Sequence, residues 1–367
     1  MNTLSLRALN RATLERQWLL ERRAVTAQEA IHRLVGMQSQ APLAPYTGLW
    51  TRLVDFDPED LSGLMYDRSA VRLPLMRGTI HLVTADDALG IYPLLGDVHS
   101  RLLASNQNVA PLRTSVDLEA LSSAGQRLLT ASPLSASELG AALASEFPPH
   151  TPAVLSRAVR DLLAGVQVPP RGIWGKGGQP VTTTAQAWLG RPLKAYSIDS
   201  LVLRYLEAFG PASVLDMQQW SGLTRLSEVF DRLRPQLRTY VSEESRRQLF
   251  DIASIELPDP ETPAPVRFMA EFDNLMIGYA DRTRVLSEDH RRKVFTINGI
   301  VKGTVLYDGF VVATWKATVT RKAARLTIQL LERLHRVDLP SIHAEADRLV
   351  NFLEPSAESH EIELIPK

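Results

Sequence analysis

The sequence predicts an α+β protein in which three helix–turn–helix–hairpin units precede a small β-rich domain. Three observations predict this. Capped amphipathic helices are followed by strand pairs at three places along the chain. A proline-rich stretch at 257–265, "LPDPETPAP", interrupts the series. Short strands with Asn-Gly and Asp-Gly turns follow that stretch. The length of 367 residues is what two or three domains require.

The first unit is predicted over residues 1–115. Thr26 and Glu29 form a capping box ahead of an apolar-periodic stretch, so a helix is expected to begin there. A turn that carries two glutamines and two prolines comes next. A second helix, "YTGLWTRLV", a further short helix and two strands, "AVRLPLM" and "TIHLVTA", complete the unit. Arg77-Gly78 is the predicted turn between those strands.

The second and third units repeat this order over residues 116–198 and 199–257. Ser135 and Glu138 form another capping box, and "AVLSRAVRDLLAG" is a second helix that leads to a hairpin with the glycine-rich tip "GKGG". In the third unit Ser213 caps "VLDMQQW", and "LRTYVSEESRRQLFDI" predicts two strands. A helix-turn-helix with a hairpin after it is the winged-helix pattern, so three tandem winged helices are predicted.

The C-terminal domain is predicted over residues 258–367 as a small β-barrel or curved sheet. Its predicted strands are "FMAEFDNLMIGY", "KVFTING", "IVKGTVLYDG", "FVVATWKATV" and "ARLTIQLL". Asn298-Gly299 and Asp308-Gly309 are hairpin-type turns, since both dipeptides accept the positive φ angles of such turns. The apolar spacing of "SIHAEADRLVNFL" predicts a helix that closes the domain.

The composition narrows the class of protein. Hydrophobic residues make up 45% and charged residues 22% of the chain, as in a globular protein. No apolar run reaches the length of about 18 residues that a membrane span needs, and the N-terminus lacks the apolar core of a signal peptide. The absence of cysteine excludes disulfides and thiolate metal sites and fits a cytoplasmic protein. The net charge of +0 does not indicate a strongly basic nucleic-acid binder.

The charge is unevenly distributed along the chain. Residues 281–330 contain ten Lys/Arg and four Asp/Glu, a net charge of +6, whereas residues 331–367 contain four basic and eight acidic residues. The basic window is compatible with a surface that faces a polyanion. It is equally compatible with the solvated exterior of a β-rich domain.

Familiar catalytic motifs are missing from the sequence. No H-E-x-x-H, phosphate-binding loop, G-x-S-x-G elbow or dinucleotide-binding glycine motif occurs. The predicted second helices do not suit base reading either. "GLWTRLV" is mostly apolar, and the second helix of the third unit carries Glu228 and Asp231, which DNA phosphates would repel. At least two of the units are therefore expected to be scaffold.

One short stretch, "RLVGMQSQAPLAP", holds two amides at alternate positions. In an extended chain Gln38 and Gln40 project to the same side, where both could grip one water molecule. A polar turn between helices explains the same residues without any function. The sequence pattern alone leaves both readings open.

Five blocks of the chain resemble one family. The blocks are "RLVGMQSQAPLAPYTGLWTRL", "LMRGTIHLVTADD", "PPRGIWGKGG…WLG", "EFDNLMIGYADR" and "INGIVKGTVLYDG…TWK". Together they resemble the helix-turn-helix-42 superfamily of bacterial DNA glycosylases, with AlkZ-like and YcaQ-like branches, over residues 5 to 355. The resemblance implies three tandem winged helices around a concave DNA-binding surface, with a C-terminal β-barrel.

The same resemblance implies a function. Members are monofunctional glycosylases that release N7-alkylated purines, and AlkZ-like members unhook interstrand cross-links, which implies DNA repair and self-resistance to an alkylating antibiotic. The Gln–apolar–Gln motif of the AlkZ branch maps onto Gln38 and Gln40, with Ser39 in place of the apolar residue. The implied partner is double-stranded DNA with alkylated or cross-linked purines. The implied protein is a monomer without metal or cofactor.

Basic residues near the predicted turns and in the basic window are the candidate DNA contacts. They are Arg77, Arg171, Lys176, Arg282, Arg284, Arg291, Arg292 and Lys293. Two other classes of protein are also compatible with parts of the sequence. A winged-helix regulator or architectural DNA binder predicts base-reading side chains, which the apolar second helices argue against. A protein-binding scaffold agrees with the neutral net charge, but it leaves the basic window unexplained.

Overall fold

The computed structural model describes residues 2–320 and 322–367. Its helices are α1 (Leu6–Arg16), α2 (Ala27–Arg33), α3 (Ala44–Trp50), α4 (Pro58–Tyr66), α5 (Ala85–Ile91), α6 (Gly96–Ser105), α7 (Leu112–Ser115), α8 (Leu118–Ala131), α9 (Ala136–Ala144), α10 (Pro152–Leu162), α11 (Ala185–Leu189), α12 (Ile198–Phe209), α13 (Val214–Ser221), α14 (Ser227–Leu233), α15 (Asn274–Ile277), α16 (Glu288–Val294) and α17 (Leu339–Leu353). Its strands are β1 (Asn2–Leu4), β2 (Met37–Gln38), β3 (Ala70–Pro74), β4 (Ile80–Thr84), β5 (Leu134–Ser135), β6 (Gly165–Gln167), β7 (Val181–Thr184), β8 (Leu237–Ser242), β9 (Gln248–Ile252), β10 (Arg267–Met269), β11 (Gly303–Tyr307), β12 (Phe310–Val319), β13 (Ala323–Leu330) and β14 (Ser359–Ile365).

One order of elements recurs along the chain. A helix, a short strand, two helices and a strand pair follow one another in α2-β2-α3-α4-β3-β4 and again in α8-β5-α9-α10-β6-β7. In α12-α13-α14-β8-β9 a single bridge between Ala212 and Phe250 takes the place of the short strand. The capping boxes at Thr26 and Ser135 are confirmed. Each hydroxyl accepts a hydrogen bond from the backbone amide of the glutamate three residues later, Glu29 or Glu138, and the carboxylate of that glutamate accepts one from the backbone amide of the capping residue.

The strand pairs assemble into two sheets. Strands of the first two repeats form a six-stranded sheet with the order β2-β4-β3-β6-β7-β5, joined where Arg72 lies opposite Gln167. The third pair belongs to a three-stranded sheet, β1-β8-β9, in which β1 runs parallel to β8 with Asn2 opposite Tyr240. The N-terminus therefore pairs with a strand that lies far away in sequence.

The C-terminal region forms an open sheet, and the predicted barrel is wrong. Its five strands have the order β10-β11-β12-β13-β14, and within the described residues β10 and β14 do not pair with each other. Helix α17 packs against β10, β13 and β14, with Ile342, Ala346, Leu349 and Val350 buried. Because a helix covers that face of the sheet, its apolar side chains are buried without closure of the strands.

Other local predictions in this region also change. The strand predicted in "FMAEFDNLMIGY" is limited to β10, because Asp273 caps a short helix, α15. The strand predicted in "KVFTING" does not form, because Lys293 and Val294 end α16, which Ser287 caps, and the residues from Phe295 onward form a turn. Strand β14 was not expected, although its "SHEIELI" alternates polar and apolar residues as a strand does.

The hydrophobic core ties the C-terminal sheet to the first repeat. One buried cluster includes Met37 and Leu82 from the first repeat together with Phe268 and Val350. Asn274 also donates from Nδ2 to the carbonyl of Gly36 at 2.8 Å, just before β2. The backbone before the glutamine pair is therefore held by packing against the C-terminal sheet and by the hydrogen bond from Asn274. None of the helices in residues 2–320 and 322–367 is long and apolar enough to span a membrane.

Candidate active site

The glutamine pair lies at one edge of the six-stranded sheet. Gln38 ends β2, opposite His81 of the antiparallel strand β4. The next backbone amide, that of Ser39, donates to the carbonyl of Ile80 at 2.7 Å and prolongs the pairing. Residues 38 to 40 therefore continue along β4, and Gln38 and Gln40 line the same cleft.

The side chain of Gln38 is fixed by an arginine on the turn between β3 and β4. Arg77 donates from Nη2 to Gln38 Oε1 at 2.8 Å and from Nη1 to the carbonyl of Trp220. Arg77 has a φ of 57° and Gly78 a φ of 68°, so both occupy the left-handed region. Burial, and then the nearby Arg282, lower the pKa of Arg77 to about 10, which leaves it charged at neutral pH. With this positive φ angle, the charged guanidinium of Arg77 reaches the amide oxygen of Gln38.

Gln40 is held more loosely than Gln38. Its Oε1 accepts from the backbone amide of Ile80 at 3.3 Å, and the residue is exposed, whereas Gln38 is buried. A carbonyl oxygen has two lone pairs, so each amide oxygen retains an acceptor site, and each amide nitrogen has donors to offer. The pair can therefore hydrogen-bond a water molecule in the cleft without itself titrating.

Ser39, between the two glutamines, is locked in place by a buried arginine. Arg72 donates from Nε to Ser39 Oγ at 2.8 Å and from Nη2 to the Ser39 carbonyl at 2.9 Å. Both residues are buried, and burial, followed by repulsion from Arg171, lowers the pKa of Arg72 to about 10. Hydrogen bonds thus hold the middle residue of the motif where an apolar side chain would be held by packing.

The cleft has a volume of about 490 Å³ and is built from three parts of the chain. The first repeat contributes the glutamine pair and residues of the β3–β4 turn. Helix α10 contributes Arg157, Arg160 and Asp161. The C-terminal region contributes Phe272 and the turn 298–300. Within the described residues Phe272 is the one aromatic side chain in the lining, so no pair of rings sandwiches a base there.

Sequence reasoning missed the three residues of α10. Arg157 and Asp161 are one helical turn apart, with Arg157 Nε 3.0 Å from Asp161 Oδ2, and Arg160 lies on the same side of the helix. Their spacing in "SRAVRDL" was a visible signal, but nothing in the sequence indicated that the helix faces the glutamines. Asp161 places a carboxylate in the lining of the cleft. Its ion pair with Arg157 offsets its charge.

His81 is buried beside Gln38 without a counter-charge. Its Nδ1 lies 2.9 Å from the carbonyl of Thr79, and its Nε2 is buried with no partner among the described residues. Burial, and then the charge of Arg77, lower the pKa of His81 to about 3. The imidazole is therefore neutral at physiological pH, with its proton on Nδ1.

The low pKa of His81 predicts an acid-labile fold. In the unfolded chain its pKa is near the ordinary 6.5, so below that pH the unfolded state binds the extra proton. The free energy of unfolding should fall by about 1.4 kcal/mol per pH unit from this group, or roughly 3 kcal/mol by pH 4.5. Urea denaturation at pH 7.5 and 4.5 measures this loss. The variant His81→Leu should lose less stability over the same interval, and an equal loss in both proteins would contradict the assignment.

Two of the predicted DNA contacts lie near the glycine-rich tip between β6 and β7. Arg171 is partly exposed and donates from Nη1 to the carbonyl of Gly178 at 2.9 Å. Lys176 is exposed, with Nζ 2.7 Å from Tyr66 Oη and 5.2 Å from the centre of that ring. Both side chains therefore reach the surface beside this tip.

Arg282 and Arg284 are placed differently from the surface contacts expected of them. Arg282 is partly exposed and donates from Nε to the carbonyl of Met276 at 2.7 Å. Arg284 is 2% exposed, donates to the carbonyl of Pro211 at 2.9 Å and lies 3.6 Å from Asp216. Its guanidinium is thus committed to protein partners, so Arg284 stabilises the interior and offers no surface charge.

The remaining predicted contacts form a basic patch at the end of α16. Arg291, Arg292 and Lys293 are exposed on its last turn, and Arg291 lies 3.3 Å from Glu288. Helix α16 leads directly into the turn 295–301, part of which lines the cleft. This patch therefore lies close in sequence to the candidate site.

Comparison with known proteins decides which class of protein this chain is. Residues 31–352 match a family model described as "DNA glycosylase AlkZ-like". The chain belongs to this family. It is accordingly a DNA glycosylase, an enzyme of DNA repair. The regulator and scaffold readings are set aside.

A sequence comparison and a structural comparison show how far the likeness of this glycosylase extends. An interstrand DNA cross-link repair glycosylase of Streptomyces sahachiroi is 24% identical over 321 residues, which cover 83% of this chain and 85% of that protein. The structure of the Streptomyces sahachiroi DNA glycosylase AlkZ matches with a TM-score of 0.80 and 20% identity, over 100% of both chains. The structural match shows a shared α+β fold.

Proposed function

We propose that the cleft hydrolyses the N-glycosidic bond of cationic N7-alkylpurines in double-stranded DNA, including purines tied in an interstrand cross-link. The observation that carries the proposal is the convergence of Gln38 and Gln40 on one cleft that also contains Arg157 and Arg160. The relative of Streptomyces sahachiroi, an interstrand cross-link repair glycosylase by name, supports the substrate class. In a bacterium that makes a DNA-alkylating antibiotic, this activity would serve self-resistance.

The proposed reaction does not require a strong general acid or general base from the protein. Alkylation at N7 gives the purine a full positive charge, so it leaves as a neutral base when the electron pair of the C1′–N9 bond returns to the ring. Water attacks C1′, and its proton passes to solvent. Gln38 and Gln40 hold that water near the sugar, so the attack becomes effectively unimolecular instead of depending on a chance encounter with water. Neither amide changes charge in the step.

The surroundings fix the side chain of Gln38 and the backbone between the two glutamines. Arg77 anchors the Gln38 amide, and Arg72 anchors the backbone between the two glutamines through Ser39. Arg77 therefore serves as a positioning residue in this proposal, rather than as the phosphate contact first expected.

The shape of the cleft suits a base that cannot swing out of the helix. In a cross-link each purine is bonded to the opposite strand, so full extrusion into a closed pocket is blocked. A cleft without paired aromatic rings accepts such a base from the side. The three repeats act as winged-helix units that support this cleft and a concave DNA-binding surface.

Basic side chains in the cleft, near the glycine-rich tip and in or near α16 are proposed to contact phosphates, which would fix the duplex without reading its sequence. Arg284 is left out because it is buried, and two arginines of α10 are added. The proposed contacts are Arg157, Arg160, Arg171, Lys176, Arg282, Arg291, Arg292 and Lys293.

The test uses two duplexes that differ in the charge of the leaving base. The protein is incubated with DNA that holds one N7-methylguanine and with DNA that holds one uracil, and abasic sites are counted after alkali cleavage. We expect release of N7-methylguanine and no release of uracil, since the glutamines supply no strong acid or base. Robust release of uracil would overturn the proposed restriction to cationic bases and would point to Asp161 as a base.

A further inference from the structure

One carboxylate in the wall of the cleft has few hydrogen-bond partners for its degree of burial. Asp161 lines the cleft together with the glutamine pair, and its side chain is 13% exposed. Among the described residues it accepts one hydrogen bond, at Oδ2 from Arg157 Nε at 3.0 Å. The buried carboxylates of Asp251 and Asp273 each accept three. A largely buried carboxylate is costly to keep ionised without such partners, so Oδ1 of Asp161 is available to a ligand in the cleft.

The arginine that holds Asp161 can also hold DNA. Arg157 is one helical turn earlier on α10, and its side chain is 46% exposed. It contacts Asp161 through Nε, and in the part of the chain that the structure describes its two Nη groups make no hydrogen bond. Those groups are therefore free to donate to a phosphate of the duplex. A bound phosphate would share the charge of Arg157, so Asp161 would be less neutralised in the complex than in the free protein.

Two neighbouring rings inside the protein leave the charge of Asp161 in place. Tyr92 and His99 pack against each other with ring centres 4.9 Å apart. Burial lowers the pKa of His99, and the charge of Asp161 opposes that shift. Burial, and then the charge of Asp161, raise the pKa of Tyr92. Both rings are therefore uncharged at neutral pH, and neither cancels the negative charge of the carboxylate.

We infer that Asp161 is a catalytic residue whose carboxylate stabilises the positive charge that develops on the deoxyribose as the purine leaves. When the C1′–N9 bond breaks, its electron pair neutralises the base, and a positive charge remains on C1′ and O4′ of the sugar. A fixed carboxylate beside that charge lowers the barrier. Asp161 stays ionised throughout, since the water that adds to C1′ gives its proton to solvent. The inference rests on the proposed glycosylase reaction and adds electrostatic stabilisation to the positioning of water by Gln38 and Gln40.

The first measurement separates the reaction rate from DNA affinity. Asp161→Asn keeps the shape of the side chain and an oxygen for Arg157, so thermal unfolding should show an intact fold. We expect single-turnover release of N7-methylguanine from a duplex to fall by about 100-fold. Affinity for the duplex should be unchanged or higher, because a negative charge near the phosphates is removed. Glu146→Gln is the matched control, since Glu146 pairs with Arg127 at 2.7 Å and does not line the cleft, and it should change neither quantity.

The second measurement detects the charge interaction without a reaction. Two duplexes carry abasic-site analogues, one a cationic pyrrolidine that mimics the charged sugar and the other a neutral tetrahydrofuran. Wild-type protein should bind the pyrrolidine duplex about tenfold more tightly, and Asp161→Asn should lose most of that preference. An unchanged preference, an equal loss of affinity for both duplexes, or a wild-type rate of base release in Asp161→Asn would overturn the role of Asp161 and leave the glycosylase proposal standing. A wild-type protein that releases no N7-methylguanine would overturn both.

Discussion

Gln38→Ala and Gln40→Ala should each abolish most base release while the protein stays folded and bound to DNA. Losing one positioned hydrogen-bonding group at a reaction centre typically lowers the turnover rate by about 100-fold to 1000-fold. Gln38 is buried and anchored by Arg77, whereas Gln40 is exposed and makes one long hydrogen bond, so we expect the larger loss at Gln38. Single-turnover release of N7-methylguanine measures both effects.

The control for these variants is another glutamine on the same repeat. Gln28 is exposed on α2 and does not line the cleft, so Gln28→Ala should retain wild-type activity. Thermal unfolding and DNA titration of each variant separate lost chemistry from lost fold or lost affinity. If both cleft variants released base at the wild-type rate, the two amides would not position the water, and the proposed mechanism would fail.

Asp273→Ala should destabilise the protein strongly. Asp273 accepts from Arg52 at 2.8 and 2.9 Å, and the two side chains are 1% and 0% exposed. It also caps α15 through the amide of Leu275. Removing one partner leaves a charged guanidinium buried without its counter-ion, which costs about 3–5 kcal/mol. The free energy of unfolding in urea measures this loss.

A surface pair provides the comparison for Asp273. Arg325 and Glu361 lie 2.7 Å apart, but their side chains are 56% and 50% exposed, so Glu361→Ala should cost no more than about 1 kcal/mol. The double variant Arg52→Ala with Asp273→Ala should lose less than the sum of the single variants, since the second deletion leaves no new unpaired charge. Strict additivity would show that the pair is not coupled.

The Asp273 prediction extends to activity. Asp273 follows Phe272, which lines the cleft, and precedes Asn274, which donates to Gly36 just before β2. The buried pair therefore holds the wall of the cleft as well as the core. Loss of this ion pair in Asp273→Ala should therefore reduce base release even at temperatures at which the variant protein stays folded.

Local signals in the sequence account for the predictions that were confirmed. The capping boxes at Thr26 and Ser135 and the strands on either side of Arg77-Gly78 depend on residues a few positions apart, so short-range chemistry decides them. The barrel prediction was wrong because closure depends on whether β10 meets β14, and no local pattern contains that information.

The sequence also did not show which individual charged side chains are buried. Arg284 and the exposed arginines of α16 have the same residue type and lie in the same basic window, yet Arg284 is 2% exposed and committed to Pro211 and Asp216. Which side of a segment faces the core depends on what packs against it. Residue type alone therefore cannot separate a DNA contact from a buried ion pair.

By itself, the sequence determined the α+β class, the recurring helices and hairpins, and the alternation that sends Gln38 and Gln40 to one side of an extended chain, because each of these follows from neighbouring residues. Only the tertiary structure decided what surrounds that pair. Helix α10 and the turn 298–300 reach it through contacts between residues far apart in the chain. Such contacts form when apolar surfaces from distant segments are buried together, and burial of that kind depends on the whole fold.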